Sequence, residues 1–406
     1  MKNVAIVGFG EMGKRHGLDM ESHSHGRIRV AGVVEPDDNK YKQGCEWMKA
    51  SPRRYASVGQ MLEELRPDGA VISAPNFLHL ECLRPFSGKN IPLLVEKPLD
   101  SALEKIFGVV RFAAAHPAPV IVHHVMRYAP IVAKAKQLIE RGELGKLCSF
   151  QFQQTIGGGM FHNFRRTMAT GGGQLLEKAT HDFDVLLHWA QSRPKRVSSV
   201  CKQQYYGGGR PDDLHCCDCP DAATCESAVR GDPKREFKDV KPSNDLCAFA
   251  KCVDIPDNEL CVLELEDGVF GSYANTYFVN GFFSRVYQMI GTEALMRVCF
   301  SLPRAEKDGF DGKIEVYRND GGYEKFEFDY EQRIHYNGSP AVTAHFLELL
   351  EGKQVKLHSP VDEAFAAELV ALAAYESNRR GLPVEVADLL PADLKGLFAN
   401  TFNTPR

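Results

Sequence analysis

The chain has 406 residues, of which 25% are charged and 44% hydrophobic, and its formal net charge is −4. This composition is typical of a globular protein with room for two or three domains, and it argues against a disordered chain or one made to bind nucleic acid. No apolar run approaches the roughly 18 residues of a membrane helix, and the N-terminus lacks signal-peptide features. We therefore expect a cytoplasmic protein with no membrane and no nucleic-acid partner.

The chain begins with a short apolar strand, Val4–Val7, followed by a Gly-x-Gly-x-x-Gly turn. In such a turn the first glycine permits a tight exit from the strand, and the second lets the backbone approach a pyrophosphate. The third lets the next helix pack closely, and the helix N-terminus presents free N–H groups to the phosphates. The residues assigned here to cofactor binding are Gly8, Phe9, Gly10, Glu11, Met12 and Gly13.

A second apolar strand, Ile28–Val34, is followed by Glu35, which lies 35 − 13 = 22 residues after Gly13. An acid about 20 residues beyond the glycines accepts a hydrogen bond from the 2′-hydroxyl of a ribose. A carboxylate at this position would repel a 2′-phosphate, so we predict NAD(H) rather than NADP(H). The alternative, a glycine turn without a ligand, is disfavoured because strand, turn, helix and acid agree.

Strands and helices alternate over residues 1–125, the predicted first domain. Further strands are expected at Asp68–Ser73, Pro92–Val95 and Val120–His124, and helices at Lys14–Ser22, Asn39–Lys49, Met61–Leu65 and Ala102–Ala115. This alternation predicts an α/β fold, a doubly wound parallel sheet of the Rossmann type. Ligands bind at the carboxyl ends of such strands, so the turn at Gly8, Pro75-Asn76 and Glu96-Lys97 should face one crevice.

The pattern changes over residues 126–406, the predicted second domain. After a helix at Pro130–Arg141, strands with alternating polarity and glycine turns predict an α+β domain with a large, mostly antiparallel open sheet. The predicted strands are Leu147–Thr155, Val197–Gln204, Leu260–Leu265, Val269–Phe278, Arg285–Ile290 and Ile314–Tyr317. Two helices follow, at Ala341–Leu350 and Asp362–Arg380.

Several motifs in this order resemble those of the glucose-fructose oxidoreductase / inositol dehydrogenase / rhizopine-catabolism (Gfo/Idh/MocA) family. The motifs are Gly8-x-Gly10-x-x-Gly13, Pro75-Asn76-x-x-His79, Glu96-Lys97-Pro98, Arg127-Tyr128-x-Pro130, Gly142-x-x-Gly145, Gly171-Gly172-Gly173 through Glu177-Lys178-x-x-His181-Asp182-x-Asp184, and Ile290-Gly291-Thr292-Glu293. The resemblance covers nearly the whole chain. It implies an NAD-binding Rossmann domain and a second domain whose sheet carries the substrate pocket and commonly the contact between subunits. Because this sheet commonly carries the contact between subunits, a homodimer or homotetramer is expected. Members of the family typically oxidise a hydroxyl of a sugar or cyclitol, or run the reverse reduction.

The reaction implied by the resemblance needs a base for the hydroxyl proton beside the cofactor. His181 is the candidate base, because its ordinary pKa lies near neutral pH. Glu177 lies one helical turn before it and can share its face. This acid is usually Asp in the family, so the role of Glu177 stays open: it orients His181, binds a substrate hydroxyl or pairs with Lys178. Lys97 is expected to bind the reacting oxygen and stabilise its negative charge.

The remaining site residues come from the same motifs. Pro75, Asn76, His79, Glu96 and Lys97 are assigned to the cofactor. Asn163, Arg165 and Arg166 lie on a loop before the catalytic helix, and arginines suit carboxylate or polyhydroxyl ligands; an exposed basic loop is the alternative. The complete set assigned to substrate is Arg127, Asn163, Arg165, Arg166, Glu177 and Lys178.

A cysteine-rich insert is predicted at about residues 205–255. It contains Cys-Cys-Asp-Cys-Pro at 216–220 and further cysteines, and clustered thiols in a reducing compartment often bind zinc. A subset of the family looks similar in this region, and matching it position by position implies a structural site of Cys216, Cys219, Cys225 and Cys252. Cys217 and Cys247 are spare candidates. A disulfide or redox switch, unliganded thiols and an iron–sulfur cluster remain alternatives.

The sequence therefore predicts an NAD(H)-dependent oxidoreductase acting on a CH–OH group of a sugar, sugar derivative or cyclitol. Two other functions remain open. One is a glycoside-cleaving enzyme of the same fold that oxidises its substrate only transiently. The other is a non-catalytic protein that senses NAD or a sugar.

Overall fold

The computed structural model describes residues 1–229, 245–279, 282–301, 311–330 and 334–402. It contains two sheets, and the chain passes from the first to the second after residue 122. No helix within these ranges is long and apolar enough to cross a membrane.

The first sheet is parallel throughout and has the strand order β3-β2-β1-β4-β5-β6. Its strands are β1 Lys2–Val7, β2 Ile28–Val34, β3 Arg53–Tyr55, β4 Gly69–Ile72, β5 Leu93–Val95 and β6 Val120–Val122. The helices between them are α1 Glu11–His23, α2 Asp38–Met48, α3 Val58–Glu64, α4 His79–Leu83 and α5 Leu103–Ala115. The strand order reverses between β1 and β4, which is where a doubly wound sheet binds its ligand. The predicted Rossmann fold is confirmed.

The second sheet has nine strands in the order β14-β13-β12-β11-β7-β10-β9-β8-β15. Every pairing is antiparallel except that of β7 with β10. The strands are β7 Leu147–Thr155, β8 Pro194–Lys202, β9 Asn258–Leu265, β10 Phe270–Thr276, β11 Ser284–Gly291, β12 Ala294–Ser301, β13 Gly312–Arg318, β14 Tyr323–Phe328 and β15 Val384–Glu385. The helices of this part are α6 Pro130–Glu140, α7 Met168–Gly171, α8 Thr180–Ala190, α9 Ser339–Leu350, α10 Val361–Arg380 and α11 Ala392–Asn400. The predicted mostly antiparallel open sheet is confirmed.

Helix α9 lies in the second predicted domain by sequence, but it packs against the sheet of the first. Val342, Phe346 and Leu350 of α9 are buried in the same apolar cluster as Val4 and Ile6 of β1. Helix α9 therefore helps to cover the parallel sheet, and a division of the chain at residue 125 leaves out this returning segment.

The outer face of the second sheet is apolar in part. Val200, Leu260, Val262 and Phe270 are exposed by 54%, 48%, 52% and 58%, and Val200 and Leu260 are direct partners across β8 and β9. An apolar patch of this kind is typical of a protein–protein contact. The expected self-association stays a prediction.

Candidate active site at the carboxyl edge of the parallel sheet

The glycine turn has the geometry that a dinucleotide requires. Gly8 has φ +89°, and a Cβ there would lie 2.5 Å from the backbone nitrogen of Ala74. A Cβ on Gly13 would lie 2.0 Å from the carbonyl oxygen of Gly8, so strand and helix are packed backbone to backbone. A Cβ on Gly10 would meet nothing within 4 Å, and no side chain caps the start of α1 at Gly10. The first turn of α1 is thus accessible to a phosphate.

Glu35 is buried at the end of β2, beside this turn. Its carboxylate accepts hydrogen bonds from the backbone N–H groups of Phe9 at 2.8 Å and Asp37 at 3.0 Å. These bonds hold the acid next to the glycine turn, where the ribose of a bound dinucleotide is expected.

The loop after β4 carries three residues predicted to contact the cofactor. Pro75 is exposed and Asn76 is buried, with its amide nitrogen 3.5 Å from Glu177. His79 is different, because its two ring nitrogens lie 2.9 Å from the carbonyl oxygen of Ala74 and 3.2 Å from that of Leu99. With both nitrogens next to backbone carbonyls, His79 ties two loops of the site together, which argues against its predicted cofactor contact.

Glu96 follows β5 and is the centre of a buried hydrogen-bond network. One carboxylate oxygen lies 2.7 Å from His16 Nε2 and 2.9 Å from His123 Nδ1, and the other accepts from the backbone N–H of Lys97 at 3.1 Å. Burial alone would raise the pKa of Glu96, but His123 and His16 hold it well below its usual value. These are the only three His, Cys, Asp or Glu side chains of the described ranges whose ligand atoms cluster closely enough for a metal ion. Because these contacts already satisfy Glu96, we interpret the group as a support for Lys97; the cofactor contact expected of Glu96 stays a prediction.

Lys97 lies at the end of β5 and extends toward the second domain. Its ammonium donates to the backbone carbonyl of Glu177 at 2.6 Å and lies 3.6 Å from a carboxylate oxygen of the same residue. The backbone around Lys97 is held by two hydrogen bonds. The Glu96 carboxylate accepts from the backbone N–H of Lys97, and the buried Glu368 of α10 accepts from the N–H of Leu99, two residues later, at 2.5 Å. Lys97 is therefore a positioned cation at the boundary between the two halves of the chain.

Glu177 lies on a short π-helical segment, Leu175–Ala179, that leads directly into α8. Such segments are frequent at functional sites. Its carboxylate forms an ion pair with Arg165, with Nε at 2.9 Å, and is 93% buried at the side chain. Pairing of Glu177 with Lys178, one of the three roles left open, does not occur; its partners are Arg165, Lys97 and Asn76.

His181 lies in the first turn of α8 and is buried. Burial and, next, the positive charge of Lys97 hold the pKa of His181 well below its usual value. The rings of His124 and His335 lie 5.9 and 6.2 Å from it, and its Nδ1 is buried without a hydrogen-bond partner within the described residues. Burial and the nearby ammonium thus favour the neutral form of the ring, in which one nitrogen can accept a proton. The structure thus brings Lys97, Glu177 and His181 into one group.

Two predicted substrate contacts have structural roles instead. Arg127 is buried, and its guanidinium donates to Asp184 at 2.7 and 2.6 Å, to Glu363 and to the carbonyl oxygen of His358. With its side chain 1% exposed it has no access to a substrate. Arg166 is also buried and donates to the carbonyl oxygens of Cys247 and Asp212, so it anchors the cysteine-rich insert.

The other two members of the loop act together. The Asn163 side chain is buried and accepts from the backbone N–H of Arg165 at 2.9 Å. It thereby fixes the turn from which Arg165 extends to Glu177. Of the predicted loop residues, Arg165 is the one that joins the site.

The cysteine-rich insert encloses a small cavity next to this loop. Cys216, Cys219, Cys225 and Cys247 line it together with His162, and its volume of about 20 Å³ admits a single small guest. Cys252 does not line it, and its backbone N–H instead donates to Asp212 at 2.8 Å. Cys247 is held beside the cavity because the N–H and the carbonyl oxygen of the preceding Leu246 both bond to His162. The metal set predicted from the sequence, with Cys252, stays a prediction.

Sequence reasoning missed the polar residues that support the site: His16, His123, His124, His335 and Glu368. Three of these had a readable signal. His16 lies three residues after Gly13, and His123-His124 follows a strand whose carboxyl end faces the crevice. His335 and Glu368 arrive from distant segments that no local pattern connects to the site.

Comparison with known proteins gives the same assignment. Residues 2–124 match the model of the oxidoreductase family with an NAD-binding Rossmann fold, and residues 132–297 match the GFO/IDH/MocA C-terminal domain. The chain belongs to the Gfo/Idh/MocA family of oxidoreductases. The predicted family, the NAD-binding fold and the enzyme class are thereby confirmed.

Individual relatives of this Gfo/Idh/MocA oxidoreductase are distant. It is 22% identical to YteT of Bacillus subtilis over 80% of the chain and 86% of YteT. It is 24% identical to the rhizopine catabolism protein MocA of Rhizobium meliloti, over 54% of the chain and 68% of MocA. Among solved structures, a levoglucosan dehydrogenase with NADH and levoglucosan matches with a TM-score of 0.73 at 17% identity, covering 95% of this chain and 99% of the other. A myo-inositol 2-dehydrogenase from Lactobacillus plantarum matches with a TM-score of 0.68 at 16% identity, covering 95% and 99%.

Proposed function

We propose that this protein transfers a hydride between NAD(H) and a ring carbon of a sugar, sugar derivative or cyclitol. The observation that carries the proposal is the meeting of Lys97, Glu177 and His181 at the carboxyl edge of a dinucleotide-binding sheet. A protein that only binds NAD or a sugar has no need of a half-buried lysine paired with a buried acid and of a buried histidine whose pKa that lysine lowers. The dehydrogenase relatives, including one solved with NADH and a sugar, support the same reaction class.

In the proposed mechanism NAD supplies the hydride acceptor, and the residues of this chain manage the proton and the charge. His181 accepts the hydroxyl proton, which its neutral state allows. Lys97 binds the reacting oxygen and stabilises the negative charge that develops there. Glu177 orients Lys97 and Arg165 through the contacts described above.

The test is a turnover assay with a panel of sugars, cyclitols and sugar acids, preceded by a thermal-shift screen in the presence of NAD. We expect hits to produce NADH stoichiometrically with an oxidised product. We also expect tighter binding of NADH than of NADPH, because Glu35 opposes a 2′-phosphate. Glycoside cleavage without net NADH formation would instead favour the redox-assisted glycosidase, and binding of NAD without turnover of any ligand would favour the sensor.

We further propose a structural zinc ion in the thiol cavity, held by Cys216, Cys219, Cys225 and Cys247. The support for this proposal is that the four cysteines line one small cavity and that Cys-x-x-Cys pairs are frequent zinc ligands. Their sulfur atoms are not as close together as the ligand atoms of a single ion, so binding would have to draw them inward. Arg166 links Cys247 to the loop of Arg165, so the ion would stiffen the substrate side of the site.

The zinc proposal predicts that protein purified without chelator contains stoichiometric zinc by elemental analysis. The double variant Cys216→Ser/Cys219→Ser should lose the metal and unfold at a lower temperature, because structural zinc binding contributes directly to folding. Cys252→Ser is the matched control and should keep both the metal and the melting temperature. Metal-free wild-type protein, or loss of zinc in the control, would refute this ligand set.

A further inference from the structure

The charges around Glu177 do not balance. Its single carboxylate lies 2.9 Å from Arg165 Nε and 3.6 Å from Lys97 Nζ. Lys178 follows it in sequence, and Lys178 is close enough to Lys97, Glu177 and Arg165 for each of their charges to act on it. Three cations thus share one anion.

Other acids nearby are already occupied. Asp182 accepts from Tyr273 at 2.6 Å and from Tyr287, and pairs with Arg285 at 3.1 Å. Glu96 is enclosed by the two imidazoles described above. Glu368, whose charge would act on Lys97 and Glu177, accepts from the N–H of Leu99, and burial raises the pKa of its carboxyl well above its usual value. Among the described residues, none of these three acids is left to offset the cations around Glu177.

Lys178 is the residue without a partner. Within the described part of the chain its ammonium makes no hydrogen bond or ion pair, although its side chain is half-buried. An ammonium removed from water without a counter-charge is costly. The cost is visible in its pKa, which burial and the charge of Lys97 lower to about 8.

A bound anion would supply the missing charge. It would pair with Lys178 and favour its protonated form. The oxidised nicotinamide ring would bring a further positive charge into the crevice, so the need for an anion is greatest in the state that accepts the hydride.

We propose that the substrate of this enzyme is an anionic sugar or cyclitol derivative, whose acidic group binds Lys178 and Arg165. This inference rests on the proposed function and adds the charge of the substrate to it. The acidic group is either a carboxylate or a phosphate, and an ammonium binds both.

The experiment compares substrates that share one ring and differ at one position. Glucose, glucuronate and glucose 6-phosphate form such a set, and the galactose and mannose series repeat it. The readout is kcat/KM with NAD, together with the thermal shift that each compound causes. We expect one anionic form to exceed its neutral partner by at least about tenfold, as is typical for a charge-assisted hydrogen bond. The carboxylate and phosphate members show which group is recognised.

Variants of Lys178 separate charge from other roles. Lys178→Met should lower kcat/KM for the anionic member at least about tenfold more than for its neutral partner, and Lys178→Arg should retain the preference. Lys146→Met, at an exposed lysine, is the control. Equal kcat/KM for neutral and anionic members, or equal loss for both in Lys178→Met, overturns the inference while leaving hydride transfer established. Absence of turnover with every member would count against the proposed function itself.

Discussion

The Lys97→Met enzyme is expected to have a kcat lowered by at least about 100-fold, because removal of one donor to a developing oxyanion commonly costs this much. Methionine keeps most of the volume of the lysine stem, so the change removes the charge and little packing. Lys97 Nζ also donates to the carbonyl oxygen of Glu177, and the variant loses this link between the two halves of the chain. The measurement is steady-state kcat with NAD on the best substrate, with NADH binding followed by fluorescence.

The control for this prediction is Lys89→Met, at an exposed lysine just before β5. It should retain wild-type kcat. NADH should bind to Lys97→Met within a few-fold of wild type, because the glycine turn and Glu35 are untouched. A kcat for Lys97→Met near the wild-type value would remove Lys97 from the mechanism.

The His181→Asn enzyme should also lose at least about 100-fold in kcat, the usual contribution of a positioned base. Asparagine retains polarity and much of the size but cannot accept the proton. The pH dependence gives a second readout. Because burial and Lys97 hold the pKa of His181 below 6.5, the imidazole stays neutral as the pH falls through 6.5, and the acid limb of wild-type kcat/KM should lie below that value.

His188→Asn is the matched control, since His188 lies on the same helix, α8, seven residues further along. It should leave kcat and the acid limb in place. Retention of wild-type turnover in His181→Asn, or an acid limb that His181→Asn does not move, would assign the base to another residue.

The parts of the fold that could be predicted are those written in local patterns. The buried strands read as continuous apolar runs, and the glycine turn, Glu35 and Glu96-Lys97 each follow a strand, so their meeting at one edge follows from the topology. Strand Arg53–Tyr55 was missed because three residues, two of them arginine, carry no apolar pattern. Strands Ala294–Ser301 and Tyr323–Phe328 were also missed. The second of them lies at the edge of the sheet and alternates exposed with half-buried residues, so it has no buried face.

The residues that were misassigned depend on contacts far apart in sequence. Arg127 reads as a substrate ligand from its motif, but it is neutralised by Asp184 and by Glu363, which lies 236 residues away. Spacing alone does not distinguish Cys247 from Cys252; in the folded chain Cys247 lines the thiol cavity and Cys252 does not. The polar support of Lys97 likewise comes from α1, β6 and α10, and only the folded chain brings these elements together.

The most direct test of the central claim is an experimental structure of the enzyme with NAD and a substrate or product. We expect the pyrophosphate to lie over Gly10 and the reacting hydroxyl to lie within hydrogen-bond distance, about 2.6–3.2 Å, of both Lys97 Nζ and a ring nitrogen of His181. The carbon that carries this hydroxyl should face C4 of the nicotinamide. A nicotinamide ring bound away from Lys97, or a hydroxyl that contacts neither Lys97 nor His181, would contradict this claim.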